Sequence, residues 1–394
     1  MYRQRSLSTK FKEALTGFPA VLITGPRQSG KTTFVQHELK DSHAYISFDD
    51  PLNRTFALHD PKGFLAQFKN KSIIVDEFQY VPEILSYIKI EIDRYHQPGR
   101  WILTGSQQFQ SMKNISETLA GRVAILELPP FNLKEGLYNK QNNLEHAVWN
   151  GGYPDPAIYP EKRDLWLEGY LQTYIERDVR NLENIKDLRT FETFINVCAA
   201  FHSNPFNTAS IARDCGVSLP TVKSWASILK ASYIVVFLPP YFKNFSKRLI
   251  KTPKIYFFDS ALVCLLTRQP SPEATLAGAM GRALFEGIII SEAYKAFYNR
   301  GTRPTLYFWR SHDGLEVDLL LHAKGTIHPI EIKLTATPNF NHIKPLERFK
   351  KLVGSEAAEK GTLVCRVKEE QNLPGNNLAL PWYKFTDYIE ELIS

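Results

Sequence analysis

The chain is poor in sulfur and has no long greasy run. Its four cysteines, Cys198, Cys215, Cys264 and Cys365, lie far apart and form no C-x-x-C pair. That argues against a disulfide framework or a zinc site, and leaves reduced thiols, as expected of a cytoplasmic protein. No window reaches the ~18 apolar residues needed to span a bilayer, so no membrane partner is expected. The longest apolar stretches, such as residues 232–242, are short and broken by proline. Internal repeats and low-complexity tails are also missing, so neither a solenoid nor a disordered tail is expected. The N-terminus is basic and followed by an apolar run, like a secretion signal. That run leads straight into a glycine-bounded loop, so it is expected to stay as a core strand.

What remains is an ordinary globular composition. At 394 residues, 43% hydrophobic and 23% charged, the chain should hold two or three domains with their own cores. Lys and Arg number 48 against 41 Asp and Glu, a net charge of +7. This mildly favours a polyanionic partner, nucleic acid above membrane.

The most informative stretch begins with the apolar run Ala20-Val21-Leu22-Ile23-Thr24. Gly25, Pro26, Arg27, Gln28, Ser29, Gly30, Lys31 and Thr32 then satisfy G-x-x-x-x-G-K-[ST], with Thr33 following. Glycines let the backbone curl so that successive N–H groups face phosphate oxygens, and the helix that follows adds its positive dipole end. Lys31 is expected at the β- and γ-phosphates of ATP, and Thr32 on Mg²⁺. Ser72-Ile73-Ile74-Val75-Asp76-Glu77 reads as a buried strand ending in two carboxylates. Asp76 would hold Mg²⁺ through water, and Glu77 would orient and deprotonate the attacking water. The next strand ends at Thr104-Gly105-Ser106. Ser106, or Thr104, is a candidate reporter of the γ-phosphate, and a helix-capping turn serine is the alternative. Arg122 is a candidate for neutralising transition-state charge in its own or a neighbouring subunit, or else a surface ion pair.

Strand and helix patterns alternate from about residue 18 to 130, the mark of a parallel sheet covered on both faces. GPRQSGKTT, IIVDEFQ, LTGSQQ and LAGR together resemble the AAA+ ATPase half of a large bacterial and archaeal family, which joins it to a C-terminal domain of formerly unknown function. The resemblance extends through Gly151–Pro154 and Thr173–Val179 and covers nearly the whole chain. It implies an ATP-dependent P-loop machine and a homo-oligomer, with a ring as the common form. Arg177, in the ERD triplet of that family, is a second arginine candidate. A helix-surface ion pair is its alternative.

The reading divides the chain into a P-loop AAA+ core at 1–130, a helical lid or linker at 131–190, a winged helix-turn-helix at 191–275 and a small α/β domain at 276–394. In the third segment Gly216 falls at a tight turn between two helical patterns. Val222, Trp225 and Leu229 mark the buried side of the second helix. Lys243, Lys247, Arg248, Lys251 and Lys254 are expected to form a basic wing that contacts DNA, or else the module is a protein–protein joint.

The last segment has an α-β-β-β-α-β order that resembles the PD-(D/E)xK nuclease core. Alternation along a strand puts Glu331 and Lys333 on one face, with Asp318 beside them on the neighbouring strand. Asp318 and Glu331 would hold Mg²⁺ or Mn²⁺, with Glu286 as an outer carboxylate and Glu316 as a lesser candidate. Lys333 would activate the attacking water or stabilise the phosphorus centre. The expected activity is ATP hydrolysis coupled to binding or processing of DNA, branched or structured DNA included. The alternative is an ATP-driven switch or scaffold whose tail is a silent DNA- or protein-binding module.

Overall fold

The computed structural model describes residues 2–105, 118–138, 140, 143–174, 187–242 and 252–394. It divides into two compact units, Met1–Pro130 with Tyr298–Thr302, and Phe131–Phe297 with Arg303–Ser394. The fold is α/β, with a five-stranded parallel sheet in the first unit.

That sheet contains β1 (Ala20–Thr24), β2 (His43–Ser47), β3 (Ser72–Asp76), β4 (Trp101–Thr104) and β5 (Val123–Glu127), in the order β2-β3-β4-β1-β5. All neighbours run parallel. Every residue of β1 is buried, as a strand covered on both faces requires. Alternation then sorts the side chains. Ala20, Leu22, Ile73, Val75, Trp101 and Leu103 join one apolar core with helix Ile84–Tyr95. Val21, Ile23, Ile74 and Ile102 join another on the opposite face with Phe34 and Val35 of helix Lys31–Glu38. The carboxyl ends of β1, β3 and β4 therefore line up along one edge of the sheet, where open α/β folds bind ligands.

The second unit holds two sheets. The smaller has β6 (Asn204–Pro205), β7 (Val235–Leu238) and β8 (Lys254–Phe257), in the order β6-β8-β7, all antiparallel. Helices Thr208–Cys215 and Leu219–Ala231 precede the β7–β8 pair, with Gly216 at φ +68° between them. Ser218 caps the second helix by accepting from Thr221 N, and Val222, Trp225 and Leu229 face inward. Lys243, Lys247, Arg248 and Lys251 lie outside the described residues. Lys254 corrects the basic-wing expectation, because it is only 4% exposed and turns inward.

The larger sheet contains β9 (Leu306–Arg310), β10 (Glu316–Ala323), β11 (Thr326–Ile332), β12 (Gly361–Cys365), β13 (Gln371–Leu373) and β14 (Asn377–Pro381), in the order β13-β14-β12-β11-β10-β9. Helix Gly281–Asn299 precedes it, and helix Phe340–Val353 packs Ile343, Leu346, Phe349 and Val353 into its core. The expected helix and strand order recurs, with β13 and β14 as additions. Between Val317 and Leu320 the β9–β10 register shifts, so these residues, three apart, enter the same core. This irregularity brackets Asp318 and sets its direction. The two sheets meet where Phe308 N donates to Pro239 O and Tyr241 N to Phe308 O.

Candidate functional sites

At the phosphate loop, the backbone is fixed by steric necessity. Gly25 has φ +140°, and a Cβ there would come within 2.4 Å of Leu128 O. Gly30, at φ +89°, caps helix Lys31–Glu38, a conformation that any other residue would adopt only with strain. Pro26 and Ser29 are buried, Arg27 is half-buried, and Gln28 and Thr33 are exposed. The buried Arg5, which the sequence did not single out, donates to Ser29 O at 2.9 Å and braces the loop from behind. Ser29 Oγ is buried with no hydrogen-bond partner among the described residues. Lys31 Nζ folds back to donate to Pro26 O at 2.8 Å and Gly25 O at 3.3 Å.

Asp76 is the hub of the site. Thr32 Oγ1 donates to its Oδ2 at 2.9 Å and Tyr45 OH to the same oxygen at 2.7 Å, while Thr104 Oγ1 donates to Oδ1. Four elements thus converge on one carboxylate: the helix after the loop, β2, β4 and β3 itself. Desolvation, then the hydrogen bond to Asp76 and its charge, pushes the Tyr45 hydroxyl well above its usual pKa, so it stays a donor. Tyr45 was not anticipated. Only the parity of His43, Tyr45 and Ser47 on β2 hints at it, and the pairing of β2 with β3 is invisible in the sequence. Ser106, the alternative to Thr104, lies outside the described residues.

Glu77 follows with φ +53°, left-handed for a non-glycine residue. Such strain is kept where surrounding structure enforces it, often at functional sites. Gln79 Nε2 donates to Glu77 Oε2, and the Gln79 side chain lies so close to Gly105 that a Cβ there would come within 2.3 Å of it. Burial raises the Glu77 pKa, opposed by Lys31 and the Gln79 hydrogen bond. Arg122 pairs with Asp93 and donates to Ala120 O at 3.1 Å. Within one chain, then, it makes the surface ion pair. Arg177 lies outside the described residues.

These residues fit ATP and Mg²⁺. Glycine-only backbone, an unpartnered buried hydroxyl and a lysine resting on loop carbonyls can all turn to a phosphate. The donors on Asp76 are neutral hydroxyls, which can yield to a cation.

The second candidate site sits at the junction of the two sheets of the second unit. Lys333 Nζ contacts Asp318 Oδ2 at 3.0 Å and Glu331 Oε1 at 2.6 Å. Ile332 N also donates to Asp318 Oδ2, at 2.9 Å. Asp318, Glu331 and Lys333 are thus brought together. Glu286 lies in the same neighbourhood, but its direct partners are Lys254 Nζ at 3.0 Å and Tyr256 OH at 2.6 Å. Lys254 also pairs with Glu316. Burial and the Asp318 charge raise the Glu331 carboxyl well above its usual pKa, against the pull of Lys333. The same two causes raise Glu286, against Lys254 and Tyr256. For Lys254, burial works against the charge, but Glu286, Asp318 and Glu316 outweigh it and hold the ammonium form. Among the described residues no group of three or more His, Cys, Asp or Glu is disposed to hold a metal ion. A divalent ion does not fit between Glu286 and Glu316 while an ammonium stands there. Lys254 and Tyr256 were missed as site residues because nothing local marks a β-strand lysine as buried.

Three family models match the chain: an AAA domain over residues 17–137, a domain of unknown function (DUF8612) over 141–273 and a domain of unknown function (DUF4143) over 282–385. An uncharacterized protein of Mycobacterium tuberculosis is 29% identical over 346 residues, which is 86% of this chain and 76% of that protein. An uncharacterized protein of Methanocaldococcus jannaschii is 24% identical over 271 residues, 60% of each chain. Among solved structures, a Walker-type ATPase of Pyrococcus abyssi has a TM-score of 0.45 at 17% identity, covering 68% of this chain and 96% of that one. The RuvB Holliday junction branch migration motor of Thermotoga maritima has a TM-score of 0.30 at 17% identity, covering 59% and 89%. Both TM-scores are too low to establish a shared fold. The domain match and the loop geometry together make the first unit an AAA-type P-loop ATPase fold. Among the described residues no helix is long and apolar enough to cross a membrane.

Proposed function

We propose that this chain hydrolyses ATP with Mg²⁺ at the loop of Gly25–Thr33 and couples nucleotide state to DNA through its C-terminal half. The observation that carries the reading is the convergence of Thr32, Tyr45 and Thr104 on Asp76. Bound Mg²⁺ would neutralise charge on the phosphates. The N–H groups of residues 27–32 cradle the phosphates, and Lys31 leaves its two carbonyl acceptors to meet the γ-phosphate. Thr32 and Asp76 would hold the metal. Glu77, unprotonated, orients the attacking water and takes its proton. Ser106, or Thr104, senses the γ-phosphate. Arg122 or Arg177 neutralises charge at the site of its own or a neighbouring copy in a homo-oligomer, with a ring as the expected form. The working division is an ATPase core at 1–130, a lid at 131–190, a winged helix-turn-helix at 191–275 and a nuclease-like domain at 276–394, in a cytoplasmic protein.

The test is steady-state ATP turnover by the full chain, by Lys31→Ala and by Glu77→Gln. The expected result is a loss of at least about a hundredfold in each. Unchanged turnover in both variants would overturn the reading.

A second reading concerns the C-terminal half. Processing of DNA there would use Asp318, Glu331 and Glu286 for Mg²⁺ or Mn²⁺, with Lys333 beside the attacking water. The ammonium of Lys254 between Glu286 and Glu316 favours a silent DNA- or protein-binding module instead. Incubation with linear, branched and single-stranded DNA plus Mg²⁺ or Mn²⁺ separates the two, since only processing yields metal-dependent cuts that Lys333→Ala and Asp318→Ala abolish. A DNA titration against salt then separates DNA binding from protein binding.

A further inference from the structure

The acidic cluster of the second unit carries its own cation. Glu286 comes from helix Gly281–Asn299, Glu316 and Asp318 from β10, and Glu331 from β11. These carboxylates share the ammonium groups of Lys254 and Lys333, which come from different elements. Lys254 stands at the first residue of β8, 4% exposed, against Glu286, Glu316 and the face of Phe308, whose ring centre lies 5.6 Å from Nζ. Lys333 bridges Asp318 and Glu331 from the more open side, with its side chain 38% exposed.

The donors converge on a few of the carboxylate oxygens. Asp318 Oδ2 takes both Ile332 N and Lys333, and Glu286 Oε1 takes both Lys254 and Tyr256. Glu331 Oε1 takes Lys333. Glu331 Oε2 alone among these oxygens is buried without a hydrogen-bond partner among the described residues. A divalent ion requires about six ligands, so it would have to displace the ammonium groups from the oxygens they hold. Glu286 and Glu316 would add two more carboxylates, but the Lys254 ammonium lies between them.

We propose that Lys254 takes the place of a divalent cation in this cluster, so that the native chain takes up no metal there and withdrawal of the ammonium creates a metal site. Lys254 is the resident counter-ion, and Glu331 Oε2 is the acceptor left waiting. The inference deepens the silent-module reading above and rests on it, but it is tested by metal uptake and not by cutting. A chain that takes up no metal at the cluster and also fails to bind DNA or protein would end that reading while leaving this one intact.

The probe is Mn²⁺, followed by electron paramagnetic resonance and calorimetry on the full chain without nucleotide. Asp318→Asn and Glu331→Gln report which binding belongs to the cluster. The native chain and Lys254→Arg should show no Mn²⁺ binding sensitive to those two substitutions. Lys254→Met should bind one further Mn²⁺ per chain, and adding Asp318→Asn should abolish it. Should Lys254→Met unfold without metal, Mn²⁺ must restore its folded circular dichroism, because a ligand that binds only the native state stabilises it. Cluster-dependent Mn²⁺ binding by the native chain would overturn the proposal. So would a folded Lys254→Met chain that binds no more Mn²⁺ than the native one, or an unfolded one that Mn²⁺ does not restore.

Discussion

Asp76 and Asp318 are both buried carboxylates at the head of a sheet, and they are partnered in opposite ways. Asp76 is met by hydroxyls, from Thr32, Tyr45 and Thr104. Asp318 is met by a backbone N–H and the Lys333 ammonium, with Lys254 paired to the neighbouring Glu286 and Glu316. A hydroxyl can turn from donor to acceptor and make way for a cation without leaving a charge unbalanced. An ammonium has no such option, because moving it strands a buried negative charge. The first site is therefore poised to exchange partners with nucleotide and metal, whereas the second already holds two ammonium groups. The presence of acids near a lysine says little until the identity of each donor is known.

The largest effect that would break this comparison is expected in the first site. Glu77→Gln should cut kcat by about a hundredfold to ten-thousandfold, the range for a lost general base, while nucleotide binding persists in a fluorescence titration. Persistent turnover would leave the strained Glu77 backbone without a function. Next is the second site. Lys254→Met removes one member of a buried ion pair and should cost about 3–5 kcal/mol in chemical denaturation without metal. A loss under about 1 kcal/mol would match an exposed pair and contradict the buried position of Lys254.

A smaller effect follows from pH. Burial holds the Glu77 carboxyl above its usual range, with Lys31 and Gln79 pulling the other way. Activity needs the unprotonated form, so kcat/KM should rise with pH through a midpoint above the ordinary ~4.3 of a glutamate. Glu77→Gln should lose that rise. For stability the sign is opposite. The folded chain holds this proton more tightly than the unfolded chain, so the contribution of Glu77 is full in acid and disappears as pH climbs through its raised pKa. The smallest expected effect is that of Tyr45→Phe, which removes one donor from Asp76 and leaves Thr32 and Thr104. Turnover should change by less than about tenfold, and the dependence on Mg²⁺ concentration should shift with it. An unaltered Mg²⁺ dependence would make Tyr45 a packing residue only.

The parts legible in advance are those that local pattern fixes. Gly25 and Gly30 stand where only glycine fits, Lys31 opens a helix, and Asp76 ends a strand with an apolar run. Ser72–Asp76 forms as expected because both faces of that strand are buried, so its apolar run is continuous. Tyr45 was hidden because its role depends on which strand β2 pairs with. Lys254 was misread as part of an exposed wing, since lysine is rarely buried and its ion-pair partners lie 32 and 62 positions away in sequence. The bulge around Asp318 has no local signal, and β13 and β14 add pairing beyond the expected order. What sequence carries poorly is the partner of each charged group, because that is set by tertiary contact.

The contrast between the two sites can be put to one measurement: the number of tightly bound Mn²⁺ ions per chain, with and without a non-hydrolysable ATP analogue. The account predicts one ion that appears only with the analogue and is lost in Lys31→Ala. A tight ion that binds without nucleotide, survives Lys31→Ala and disappears in Asp318→Asn would contradict it.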